Sequence, residues 1–136
     1  MKNRIIVGLV VVAAVFLAGF LPQYLRVRRL ENQLLQSRQE NSLAQLRDLA
    51  GLTYLQASQR DYGLAAGTST RFFDRVNEMA NQQADPASRR PFQDILGSRD
   101  QITTGLAKGD PAILSDLQML YLKTRQATTH ATGSAD

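Results

Sequence analysis

The hydrophobic pattern begins with an unbroken apolar run, IIVGLVVVAAVFLAGFL, at residues 5–21. No charged residue lies between Arg4 and Arg26. A helix needs about 20 apolar residues to cross the hydrocarbon core of a bilayer, and the run reaches that length when it is extended to Tyr24. The pattern therefore predicts one transmembrane helix over residues 5–24 of a single-pass cell-membrane protein.

A cleaved signal peptide is the alternative interpretation of this run. Such a peptide has a basic start, an apolar stretch of about 7–15 residues and small residues at its cleavage site. The best exit site here is Leu17-Ala18-Gly19, and it lacks small residues at both critical positions. We therefore favour a retained anchor. The mass of the mature chain distinguishes the two, because cleavage would remove about twenty N-terminal residues.

The chain after this run has a helical pattern. Good helix formers dominate residues 24–60, and no sustained alternation of polar and apolar residues predicts a strand. Val27, Leu30 and Leu34 have the spacing of a coiled-coil seam, but polar residues interrupt the seam after them. A second apolar stripe follows in a different register: Leu43, Leu46, Ala50, Thr53 and Ala57.

Three aspartates, Asp61, Asp85 and Asp110, are the predicted N-terminal caps of later helices. An aspartate at this position accepts hydrogen bonds from the free amides of the first turn. Pro86 and Pro111 directly follow two of them, where proline is favoured. The predicted helices span residues 24–59, 62–82, 87–107 and 111–126.

These patterns predict an all-α protein in five parts. They are a basic N-terminus (1–4), the transmembrane helix (5–24), a juxtamembrane helical stalk (25–42), a small bundle of antiparallel helical hairpins (43–126) and a disordered tail (127–136). Residues of the first turn resemble the hairpin turn of tetratricopeptide repeats, which implies a helix–turn–helix there. Those residues are Gly51, Tyr54, Asp61, Tyr62 and Ala65. Apolar residues at helical spacing predict the core: Phe72, Phe73, Val76, Met79, Ala80, Phe92, Ile95, Leu96, Ile102, Leu106, Ile113, Leu114, Leu117, Leu120, Tyr121 and Leu122.

Apolar residues cover well over half of the circumference of the last predicted helix. Such a helix either lies at the centre of its bundle or contacts a second chain. Under the second interpretation the candidate partner surface consists of Met119, Leu120 and Leu122.

Charge is distributed unevenly along the chain, whose formal net charge is +4. Five basic residues flank the apolar run: Lys2, Arg4, Arg26, Arg28 and Arg29. From Leu30 onward the chain has eleven basic and twelve acidic residues, a net charge of −1. The basicity therefore predicts contact with a lipid bilayer and not with nucleic acid. The arginines after the run also favour, slightly, a cytoplasmic C-terminal domain.

The chain offers few groups for catalysis or for metal binding. It has no cysteine, and its single histidine, His130, lies in the predicted tail. Asp94 and Asp100 fall on different faces of the same predicted helix, so they do not form an inward pair. We therefore predict no catalytic, cofactor-binding or metal-binding residue. Arg99 and Asp100 could instead form a buried polar contact between helices.

Two functional hypotheses follow. The first is a membrane-anchored, non-catalytic helical scaffold or adaptor that binds a protein partner, with self-association through the stalk as an option. The second is a membrane-tethered sensor with a small-ligand pocket between helices, lined by Tyr54, Phe72, Phe73 and Arg99.

Overall fold

The computed structural model describes the backbone of residues 2–133 and the side chains of residues 4–16 and 28–133. Five α-helices form the described chain, and the predicted all-α class is confirmed. They are α1 (Lys2–Ser58), α2 (Tyr62–Gln82), α3 (Pro86–Leu96), α4 (Arg99–Lys108) and α5 (Ile113–Gly133). Internal contacts divide the chain into two units, Met1–Gln39 and Glu40–Asp136.

The first unit is the N-terminal part of α1. All described side chains from Arg4 to Phe16 are exposed, although nearly all of them are apolar. Within the part of the chain whose side chains are described, no helix is both long enough and apolar enough to cross a membrane. The predicted span, residues 5–24, continues into residues 17–24, which lie outside that part.

The predicted membrane-flanking basic residues divide in the same way. The side chains of Lys2 and Arg26 lie outside the described residues. Arg4, Arg28 and Arg29 lie within them, and all three are exposed.

The second unit is a helical bundle built from the distal part of α1 and from α2 to α5. Helix α2 packs against α3 and α4, which in turn pack against α5. The rings of Phe72 and Phe73 meet edge to face at the centre of the core, with centroids 5.1 Å apart. The second apolar stripe of the sequence is buried in this core: Leu43, Leu46, Ala50, Thr53 and Ala57.

Arg75 joins α2 to α1 through a fan of hydrogen bonds. Its Nη2 donates to Ser42 Oγ at 3.2 Å and to Gln45 Oε1 at 3.1 Å, both on α1. Its Nη1 donates to Glu78 Oε2 at 2.8 Å on its own helix. One guanidinium therefore fixes the register of these two helices, because its planar fork reaches several acceptors at once.

The predicted caps at Asp61 and Asp85 each accept bonds from the helix that follows. Asp61 Oδ1 accepts the amide of Leu64 at 3.2 Å. Asp85 Oδ2 accepts both the amide and the hydroxyl of Ser88, each at 3.1 Å. These two hydrogen bonds lower the pKa of Asp85 below its usual value of 3.8. The bond from the Ser88 backbone N–H has the larger effect and the bond from its hydroxyl the smaller one.

Asp110 acts in the turn before α5. Its Oδ1 accepts the amide of Ala112 at 2.9 Å, and α5 begins at Ile113, two residues after the predicted start. Gly109 ends α4 with φ 62°, a left-handed conformation that glycine adopts without steric cost.

The third predicted helix, residues 87–107, is in fact two helices, α3 and α4. The break lies at Gly97 and Ser98, where the amide of Gly97 bonds to Gln93 O and that of Ser98 bonds to Ile95 O, both at 3.0 Å. These bonds close a tight turn that starts a new helix. The change of direction lets both short helices bury their apolar faces against α2.

Helix α5 extends to Gly133, well beyond the predicted end at residue 126. Ala127 and Thr128 are buried there, so packing supports the additional turns. Threonine hydroxyls in this region donate to carbonyls of their own helix, as Thr124 does to Leu120 O at 2.8 Å. The residues predicted as a tail therefore form helix as far as Gly133, and residues 134–136 of that tail lie outside the described chain.

Candidate binding surfaces

The outer face of α5 carries two large apolar side chains in solvent. Met119 is 56% exposed and Leu122 is 49% exposed. They are three residues apart, a spacing that places them on one face of a helix. The sequence predicts Leu120 and Leu122 both as core residues and as part of this surface. Leu120 is 2% exposed and belongs to the core, because it shares the opposite face of α5 with Leu117 and Thr124. The core prediction is wrong for Leu122, which lies on the outer face.

A contact between α1 and α5 lies next to this face. A β-carbon at Gly51 of α1 would lie 3.6 Å from Tyr121 Cε2 of α5. Leu122 follows Tyr121 directly in the sequence. We call Met119 and Leu122 together the α5 apolar surface.

A groove of about 640 Å³ runs between α3 and α5. The residues that line each wall recur every three or four positions, so each wall is one face of a helix. Arg90 and Asp94 lie on the α3 wall, and Lys123, Gln126 and His130 lie on the α5 wall. The buried side chains of Ile95 and Ala127 form its apolar floor. We did not predict this groove, because His130 was assigned to a disordered tail.

The two arginines at the start of α3 have different roles. Arg89 donates from Nε at 3.2 Å and from Nη2 at 2.7 Å to the carbonyl of Gln83, the residue that caps the end of α2. Arg90 lines the groove. Among the residues that the structure describes, neither Arg90 nor Lys123 forms an ion pair.

The sequence predicts a ligand pocket lined by Tyr54, Phe72, Phe73 and Arg99, and this pocket stays a prediction. The rings of Phe72 and Phe73 are completely buried in the core, whereas Tyr54 is 38% exposed. Arg99 lies at the surface, where it pairs with Asp74 of α2 at 3.3 Å.

The predicted buried contact of Arg99 and Asp100 is wrong. Arg99 does connect two helices, but its partner is Asp74 and both side chains are largely exposed. Asp100 is exposed as well. A solvated pair of this kind contributes about 0–1 kcal/mol to stability.

Comparisons with known proteins identify no relative of this chain. The fold defines an all-α helical bundle. No cluster of three or more potential metal ligands occurs among the described residues. The chain matches no protein-family model, and no curated protein and no solved structure shows significant similarity to it.

Proposed function

We propose that the protein is a single-pass, membrane-anchored helical scaffold that is non-catalytic and binds a protein partner through the α5 apolar surface. The single observation that supports a protein partner is the exposure of Met119 and Leu122 on one face of α5. Large apolar side chains grouped on a surface mark sites of protein interaction more often than single ones do.

The anchor is supported by the apolar run and its flanks. The described side chains from Ile5 to Phe16 are exposed at successive positions, hence on all sides of the helix. A helix that is apolar all round requires an apolar surrounding. The proposed span comprises residues 5–24, and its second half lies outside the described side chains. Basic residues on both sides of the run suit the headgroups of an anionic leaflet.

The partner is tested by capture with the full chain in mild detergent. Met119→Gln combined with Leu122→Gln should reduce recovery of a stoichiometric partner at least about tenfold, since each apolar contact contributes about 1–2 kcal/mol. Leu64→Gln is the matched control: Leu64 is 52% exposed but lies on α2. Equal recovery with the double variant and with the wild type would exclude the α5 apolar surface.

The side of the membrane is a separate part of the proposal. Arg26, Arg28 and Arg29 favour a cytoplasmic C-terminal domain, because basic residues close to a span are retained in the cytoplasm. A reporter fused after Asp136 that is active only in the cytoplasm should therefore give a signal. Activity of a reporter that requires an exported compartment would reverse the orientation.

A further inference from the structure

The groove between α3 and α5 has the dimensions of a small-molecule site. Its volume of about 640 Å³ lies within the range of about 300–1,000 Å³ that is typical of ligand pockets. Two helices form its walls, so the positions of the lining side chains are set by regular backbone. An open groove of this kind admits a ligand without any movement of the core.

Positive charge is concentrated at this groove. The second unit as a whole has ten basic and eleven acidic residues, a net charge of −1 over residues 40–136. Among the described residues that line the groove, in contrast, Arg90 and Lys123 lie on opposite walls and Asp94 is the one carboxylate. These three side chains together have a net charge of +1.

Arg90 and Lys123 form no ion pair within the described part of the chain. The adjacent Arg89, in contrast, donates to the carbonyl of Gln83. A guanidinium binds phosphate and carboxylate oxygens in a planar, two-pronged geometry, and an ammonium adds a point charge. An anionic group bound in the groove would meet a positive charge on each of the two walls.

The floor of the groove is apolar and favours a ligand with an apolar part. Ile95 and Ala127 are buried beneath it, and Pro91 lies on its α3 wall. Apolar contact with such a floor stabilises a ligand that carries hydrocarbon next to its charge. We propose that the groove binds a small amphiphilic anion, whose phosphate or carboxylate group lies between Arg90 and Lys123 and whose apolar part covers the floor. This proposal rests on different residues from those of the partner surface.

The test uses the full chain, isotopically labelled, in nonionic detergent, with octyl phosphate as the probe. Amide chemical shifts of Arg90 and of residues 92–94 and 123–127 should move on titration. Inorganic phosphate and octyl glucoside, which each carry half of the proposed chemistry, should bind at least about tenfold more weakly. Similar affinity for inorganic phosphate would overturn the amphiphilic part of the proposal.

Variants then test whether Arg90 and Lys123 bind the anionic group. Arg90→Gln combined with Lys123→Gln should raise the dissociation constant for octyl phosphate at least about tenfold, because two charge-assisted contacts are lost. Arg125→Gln is the control: Arg125 is exposed on α5 but does not line the groove. All three side chains are exposed, so the fold is retained, and unchanged spectra of core residues verify this. Wild-type affinity in the double variant would overturn the proposal.

Discussion

Two glycines inside helices have opposite surroundings. A β-carbon at Gly105 of α4 would collide with the side chain of Ile113, whose Cγ1 would lie 3.0 Å away. A β-carbon at Gly67 of α2 would meet no other group within 4 Å. The same substitution therefore has different consequences at these two residues, although their helix propensities are equal.

Gly67→Ala should stabilise the protein by about 0.5–1 kcal/mol, because alanine loses less backbone entropy on folding. Gly105→Ala should destabilise it by about 1–3 kcal/mol, because Ile113 must leave its packed position. Chemical denaturation of both variants measures the two effects. A stabilised Gly105→Ala variant would contradict the close packing of α4 on α5.

Asp85 couples the start of α3 to pH. Its pKa is lowered in the folded chain, so the folded state binds fewer protons there than the unfolded state. The stabilisation is present above the usual pKa of 3.8 and is lost as the pH falls through the folded value. The melting temperature should therefore decrease between about pH 5 and about pH 3 by more in the wild type than in Asp85→Asn. Identical acid dependence in both proteins would exclude this role of Asp85.

At the scale of the element, the register of α1 and α2 depends on Arg75. Arg75→Lys should lower the free energy of unfolding by about 1 kcal/mol, because an ammonium does not reach the two acceptors on α1 and Glu78 together. The side chain is about one-third exposed, which keeps the effect modest. Arg71→Lys is the matched control, since Arg71 makes one long bond of 3.4 Å within α2. Equal stability of the two variants would contradict the role of Arg75.

The division between α3 and α4 illustrates the limit of periodicity. Phe92, Ile95, Ile102 and Leu106 keep the spacing of one uninterrupted helix, and all four are buried. The apolar pattern therefore fits one helix or two equally well. Only Gly97, with its low helix propensity, is a local signal for the break. The caps were predictable because each acts within three residues of its own position.

Contacts between distant parts of the chain were not predictable. Arg75 with Ser42, and Arg99 with Asp74, join residues more than twenty positions apart, and no local pattern pairs them. The α3–α5 groove depends on such pairing as well, because its two walls are separate in sequence. The sequence assigns Leu120 and Leu122 both to the core and to the exposed face of α5, and only the packing of the bundle separates the buried Leu120 from the exposed Leu122.

At the scale of the whole molecule, the anchor has its own test. Val11→Arg should weaken membrane association, because a charge near the centre of a span costs about 2.5–3.5 kcal/mol in insertion experiments. Val11→Leu preserves apolar character and is the control. Membrane fractionation followed by alkaline extraction measures the retained fraction. Full retention of Val11→Arg would exclude residues 5–24 as the only membrane contact.

The threonines of α5 have a consequence for how the chain tolerates substitution. Because the hydroxyl of Thr124 is bonded to its own helix, the group that its side chain adds to the interior is a methyl. In packing terms this position is valine-like, although threonine carries a polar hydroxyl. Related sequences should therefore exchange threonine for valine or alanine at positions 124 and 128 more readily than for asparagine. A segment whose amino-acid sequence resembles a polar tail can thus form a helix with one face buried in the protein.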